Sequence, residues 1–180
     1  AEAARLCKMS EKPKPVEPGE YDVVLLPDAV ADMVSSLGWA GCGAQSLQDR
    51  RSFMKGKQGQ QIVSERVSVW DNAQDERSLA SPFDGEGVTQ QRVEIITDGV
   101  AKGVVYDSYT AGKEGRASTG HGSGGPLVWG PYPRNLFLGP GEASVEEMIA
   151  STKRGLLVNR FHYTNILEET QVVFTGMTRD

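Results

Sequence analysis

The chain has 180 residues, 38% hydrophobic and 24% charged, which suits one globular domain with a sizeable core and argues against a disordered or fibrous protein. Its formal net charge of -5 supplies no overall field for phosphate backbones or anionic lipid, and no apolar run approaches the ~20 residues that span a bilayer, so neither nucleic acid nor a membrane is an expected partner. The two cysteines, Cys7 and Cys42, form neither a CxxC pair nor a disulfide framework, and with no signal peptide the expected location is the cytoplasm.

Residues 1 to 9 read as the end of a helix, and Lys12-Pro-Lys-Pro-Val-Glu-Pro-Gly19 follows as a proline-rich linker that cannot continue it. Residues 1–20 are therefore expected to close a preceding segment, and residues 21–180 to form one domain. The run Asp22-Val-Val-Leu-Leu26 predicts a short buried strand. Val30, Met33, Val34 and Leu37 then recur at helical spacing, with an interruption expected around Gly38-Trp-Ala-Gly-Cys-Gly43. The basic run from Arg50 and Arg51 through Lys55 and Lys57 is mixed with Gln, Gly and Ser, the pattern of a solvated loop.

Ile62 to Trp70 reads as a strand with Val67 and Val69 on its buried face. Arg92-Val-Glu-Ile-Ile-Thr97 and Gly103-Val-Val-Tyr-Asp107 flank Asp98-Gly99, which predicts an antiparallel hairpin turned by that dipeptide. Five glycines between Ser118 and Pro133 make a long loop of the kind that lines sites. Asn135-Leu-Phe-Leu138 follows as a strand, and Ser144-Val-Glu-Glu147 is a capping box starting a helix expected to end at Gly155. Leu156-Leu-Val158 and Gln171-Val-Val-Phe174 add two strands. Ala1 at the start, and Thr175 to Asp180 following a strand without a closing helix, predict a piece of a longer polypeptide. Strands outnumber helices without regular alternation, so the fold class is α+β, a mainly antiparallel sheet with a few flanking helices.

Motifs for chemistry are sparse. Gly115 to Gly125 offers neither the lysine nor the following helix of a phosphate-binding loop. His121, His162, Cys42 and the carboxylates lack metal-ligand spacing, so no metal or other cofactor is expected in this chain. Cys42 with His121 could form a nucleophilic pair, although Gly41 and Gly43 around it suit close packing better. Asp84, Glu86 and Asp107 could serve as acid/base carboxylates, but Pro82-Phe-Asp-Gly-Glu-Gly87 has the residues of a tight turn.

One string exceeds these signals. Ser81-Pro-Phe-Asp-Gly-Glu-Gly-Val-Thr-Gln-Gln-Arg92, Ile95-Ile-Thr-Asp-Gly-Val100, Ser108-Tyr-Thr-Ala-Gly-Lys113 and Ala117-Ser-Thr-Gly-His-Gly122, in this order, resemble the C-terminal half of the TldD/PmbA family. The likeness continues through Pro133 to Gly141, Ser144 to Ile149 and Lys153 to Val158, and spans roughly Glu17 to Val158. It implies that residues 21–180 are the family's C-terminal domain, cut short at its C-terminus.

The resemblance further implies intracellular proteolysis, in which a zinc-bearing TldD-type subunit pairs with a metal-free PmbA-type (TldE) subunit to cleave unfolded peptides. The zinc branch holds its metal through an HExxxH helix. The matching stretch here, Val34-Ser-Ser-Leu-Gly-Trp-Ala40, has neither imidazole nor carboxylate, and the branch's further cysteine ligand would fall beyond Asp180, so no metal or catalytic residue is carried over. The expected role is that of the metal-free partner, with zinc in a TldD-like subunit. The expected peptide-binding residues are Ser118, Thr119, Gly120, His121 and Gly122, whose glycines admit another backbone. The alternative is a stand-alone peptide-binding or regulatory protein of the gyrase-modulator type.

Overall fold

A computed structural model describes residues 2–9, 11–12, 14–79, 81–125 and 130–179. The fold is α+β, and the chain divides into two compact units. One unit comprises Ala1–Met33, Glu142–Asn165 and Thr175–Asp180; the other comprises Val34–Gly141 and Ile166–Phe174.

In the first unit, helix α1 (Glu2–Met9) precedes the proline-rich stretch, and strand β1 (Asp22–Leu25) pairs in parallel with β6 (Gly155–Val158). The register sets Val24 opposite Leu157 and Leu25 opposite Val158. Only Val24 of β1 is buried, and Val23 is 55% exposed, so the strand is shallower than its apolar sequence predicts. Helix α5 (Val145–Ser151) begins at the expected capping box: Ser144 Oγ accepts from Glu147 N, and Glu147 Oε2 accepts from Ser144 N. It ends at Thr152 rather than Gly155. Gly155 lies within β6, where a Cβ would stand 2.7 Å from the Asp22 carbonyl oxygen, so its glycine serves close strand pairing.

Helix α2 (Pro27–Gly41) runs through the expected interruption. Gly38 and Gly41 are contact points rather than breakers: a Cβ on Gly38 would meet Leu136 Cδ1 at 2.9 Å, and one on Gly41 would meet Ser52 Oγ at 2.6 Å. Close packing at these two points outweighs the ~1 kcal/mol that glycine costs inside a helix. After the short helix α3 (Ala44–Gln48), the second unit is built on an antiparallel sheet ordered β4-β3-β2-β5. These strands are β2 (Val69–Asp71), β3 (Val93–Thr97), β4 (Val100–Ala101) and β5 (Leu136–Leu138).

Two strand expectations shrink. Only Val69 and Trp70 of the 62–70 run are strand, because Ile62 and Val63 donate to the Gly99 carbonyl while Gly99 N donates to Val67 O, which wraps that segment around the turn. The Asp98-Gly99 hairpin forms, with φ of 48° and 74° at those residues, but its return strand is Val100–Ala101. Residues beyond it are drawn away: Val105 N donates to Cys42 O, and Ala44 N donates to Val105 O.

Met54, Val69, Ile95, Ile96 and Val105 anchor the buried cluster of this unit, each contributing ~1.5–3 kcal/mol by leaving water. Helix α4 (Ser108–Lys113) follows the cluster, capped by Asp107. The chain closes with a two-stranded antiparallel ribbon, β7 (Arg160–Glu168) and β8 (Val173–Arg179). The sequence reading omits β7, whose in-out alternation fails at Tyr163, a residue held at φ 57°. It also stops β8 short of the 175–179 segment.

Candidate functional site

The Ser118–Gly122 loop is fastened to the second unit by its own polar groups. Thr119 N and His121 N both donate to the Tyr106 carbonyl, at 3.2 and 3.3 Å, and Tyr106 N donates to Thr119 Oγ1 at 2.7 Å. Ser118 Oγ donates to Tyr106 O and accepts from Gly120 N, both at 3.1 Å. Gln91 N donates to Thr119 O at 3.0 Å. Gly120 has φ 75°, and a Cβ there would lie 2.4 Å from Thr89 O, so both the conformation and the space require glycine.

His121 turns inward. Its Nε2 donates to Asp71 Oδ1 at 2.9 Å, its Nδ1 lies 2.9 Å from Thr119 Oγ1, and the two side chains are 1% and 0% exposed. Asp71 Oδ2 accepts from Asn135 N at 2.7 Å, so this carboxylate ties β2, the His121 loop and the start of β5 together. A buried carboxylate is tolerated only when its oxygens are satisfied in this way. Asp71 was not singled out from sequence, yet it continues the inward face of Val67 and Val69 in steps of two, and a charged residue on that face was the available signal.

Gly122 connects the loop to the Pro82–Gly87 turn. Gly122 N donates to Asp84 Oδ2 at 2.6 Å, Gly85 N donates to Gly122 O at 2.9 Å, and Asp84 Oδ1 accepts from Glu86 N and Val88 N. A Cβ on Gly85 would stand 2.3 Å from Ser123 O, so the two loops touch backbone to backbone. Asp84 is thus spent on three backbone N–H groups. Glu86 Oε2 accepts from Ser108 N, and Asp107 Oδ1 accepts from Thr110 N and Thr110 Oγ1 as the cap of α4. All three carboxylates hold backbone rather than forming an acid/base pair.

The two loops border a cavity of about 260 Å³, whose walls include Gln90, Gly120, His121, Gly122, Tyr132 and Arg134. Tyr132 packs on the Trp39 ring of α2, with centroids 4.6 Å apart. Burial, followed by the neighbouring Cys42 and Asp71, pushes the Tyr132 phenol up, so it keeps its proton at neutral pH. Gln90 is 4% exposed; its Nε2 donates to Phe83 O at 3.5 Å, and its Oε1 has no hydrogen-bond partner among the described residues. Of the expected loop residues, Gly120, His121 and Gly122 reach the cavity, while the Ser118 and Thr119 hydroxyls are turned to Tyr106. Residues 126–129 of the glycine-rich stretch lie outside the described residues.

The other candidates separate. Cys42 is fully buried, its thiol donates to Leu37 O at 3.4 Å, and burial with Asp71 nearby pushes that thiol up to about 12. A protonated thiol is no nucleophile, and the His121 ring nitrogens are engaged by Asp71 and Thr119, which removes the Cys/His reading. Zinc does not fit these residues either. Helix α2 offers Asp28 and Asp32 without a histidine, His162 is exposed on β7, and no three His, Cys, Asp or Glu converge among the described residues. The basic run lines a separate open hollow with Arg50, Lys55 and Lys57, while its Arg51 pairs with Glu169 at 2.9 Å. No helix of the described residues is long and apolar enough to cross a membrane.

Residues 18–180 match the family model of the PmbA/TldA metallopeptidase C-terminal domain. A metalloprotease of Methanocaldococcus jannaschii is 31% identical over 150 residues, covering 82% of this chain and 33% of the relative. A solved structure from Thermotoga maritima, named as a candidate modulator of a DNA gyrase, superposes with a TM-score of 0.74 at 32% identity over 83% of this chain and 34% of that one. TldE from Thermococcus kodakarensis gives 0.69 at 27% identity over 79% and 33%. The chain spans about a quarter to a third of the length of the curated relatives it matches. With the model covering nearly its whole length, the chain belongs to the PmbA/TldD metallopeptidase family, as that family's C-terminal domain.

Proposed function

We propose that this chain acts as the metal-free partner of a zinc-bearing, TldD-like subunit in a cytoplasmic peptidase that cleaves unfolded peptides, and that its share of the work is to hold the peptide. The observation that carries this reading is the contrast between two parts of the second unit. Helix α2 presents Ser35, Ser36 and Trp39 where the resemblance implies that the zinc branch needs ligands, whereas the Gly120–Gly122 backbone borders a cavity whose walls include Gln90, Tyr132 and Arg134. The likeness to TldE supports the same branch.

In this reading an extended peptide runs beside Gly120 and Gly122. Their missing side chains let a second backbone approach, and the buried Asp71–His121 pair keeps the loop in one shape before the peptide arrives. Preorganisation of this kind raises affinity by lowering the ordering cost of binding. β5 is an outer strand of its sheet among the described residues and begins two residues after Arg134.

The test is co-expression of the natural polypeptide with a zinc-bearing relative. The two are expected to co-purify and to cleave an unfolded peptide together, with chelation abolishing cleavage. Cleavage by this polypeptide alone after chelation would count against the proposal. The name of the Thermotoga maritima neighbour favours a second reading, a stand-alone regulator acting on gyrase or a similar complex. Capture of such a target without any TldD-like chain would select it.

A further inference from the structure

Three polar groups at the cavity wall are left over once the fold has been accounted for. Arg134 is exposed and makes no hydrogen bond or ion pair among the described residues, although its charge is felt by Tyr132. Gln90 Oε1 is buried and meets no hydrogen-bond donor among the described residues, and the other end of the amide donates to Phe83 O. Tyr132 adds a protonated hydroxyl with no hydrogen bond among the described residues. The remaining charge on the wall, Asp84, is already spread over three backbone donors. A cation and a phenol ask for an anionic oxygen, and a stripped carbonyl asks for an N–H.

One common chemical group offers both at close range: the last residue of a polypeptide, with its terminal carboxylate and its own amide N–H. We infer that the cavity receives the carboxyl-terminal residue of a peptide, the carboxylate on Arg134 and the Tyr132 hydroxyl, and the last amide N–H toward Gln90 Oε1. The inference rests on the peptide-holding role proposed above and names which part of the peptide is held. A guanidinium suits a carboxylate because its fork of N–H donors matches the two oxygens. The volume of about 260 Å³ falls just below the range of drug-sized ligand sites, ~300–1,000 Å³, which suits one terminal residue rather than a longer segment. No bond is made or broken at this site.

The experiment is fluorescence anisotropy with one fluorescein-labelled unfolded hexapeptide in four forms, titrated with the natural polypeptide. The forms are the free acid, the C-terminal amide, the amide ending in Glu, and the free acid N-methylated at its last peptide bond. The free acid is expected to bind ~10-fold or more tightly than the amide, the size of one charge-assisted hydrogen bond. That preference should vanish in Arg134→Gln and shrink in Tyr132→Phe, with unchanged thermal unfolding showing that both variants fold. N-methylation should weaken binding several-fold, and unchanged affinity would remove Gln90 from the site. Equal binding of acid and amide would overturn the inference while leaving the peptide-holding role intact. Equal binding of the Glu-ending amide and the free acid would overturn it in favour of any carboxylate. Failure of every form to bind would remove the peptide-holding role as well.

Discussion

Two glycine-bearing loops of the second unit look alike in sequence and differ in what surrounds them. Lys55-Gly-Lys-Gln-Gly59 and Ser118-Thr-Gly-His-Gly122 both mix glycine with polar residues, and Gly56 and Gly120 share a left-handed backbone, φ 68° and 75°. A Cβ on Gly56 would meet nothing within 4 Å, whereas one on Gly120 would strike Thr89 O. The first loop spends its glycine on conformation alone; the second spends it on conformation and on contact, and is bolted to the core by Asp71. Composition marks a loop, but only burial of its polar groups marks one built to a fixed shape.

The largest expected effect is at the bolt. Asp71→Ala strips the buried His121 Nε2 of its acceptor and orphans Asn135 N, at a cost of ~3–5 kcal/mol. Urea unfolding of variant and wild type measures this; a loss below 1 kcal/mol, roughly the value of one ordinary hydrogen bond, would mean that the loop does not depend on the pair.

The next effect compares the two loops directly. Gly56→Ala should cost ~1–2 kcal/mol for its left-handed backbone alone. Gly120→Ala should exceed that clearly, because the Thr89 backbone must also move. Equal thermal shifts for the two variants would erase the distinction.

A third effect concerns the thiols. With Cys42 buried and its thiol near 12, alkylation of the folded protein near pH 8 should label exposed Cys7 and spare Cys42 until denaturant is added. The folded state holds that proton more tightly than the unfolded chain. Its stabilising contribution is therefore complete below the ordinary thiol value of 9.0 and is lost as pH climbs from there toward about 12. Rapid labelling of both thiols in the native protein would contradict the packing around Gly41 to Gly43.

The smallest effect lies on the surface. Arg77 donates to the Asp75 carboxylate twice from its guanidinium and once from its backbone N, and holds it down to about 2. The pair's contribution is present above the ordinary value of 3.8 and fades as pH falls toward about 2, and its exposure to solvent keeps it small. Arg77→Ala should raise the Asp75 titration part of the way toward the ordinary carboxylate range in an NMR pH series, since the backbone N–H of residue 77 still donates to it, with almost no change in midpoint of unfolding.

How much of this was legible in advance follows from the range of each interaction. The Ser144 capping box and the Asp98-Gly99 turn are local, and both form where the residues place them. The 118–122 loop was legible as a candidate through its glycines and the family string, but its partner Asp71 sits 50 residues away along the chain and left only a charged residue on an apolar face as its trace. Gly38 looked like a helix breaker because its reason for being glycine, the side chains of Leu136 and Tyr132, lies about a hundred residues on. The Gln90 and Arg134 walls had no local pattern at all. They are visible only as groups whose hydrogen-bonding capacity the fold leaves unused.

On the function proposed above, peptide-holding and metal-holding are separated between two subunits, this one supplying the former. The most direct test is elemental analysis of the natural polypeptide, purified alone and in complex with a TldD-like protein, with zinc normalised to each chain. Zinc should appear only with the TldD-like subunit and leave with it on separation. Stoichiometric zinc retained by this polypeptide alone, seated against Ser35 to Ala40 of α2, would contradict the account.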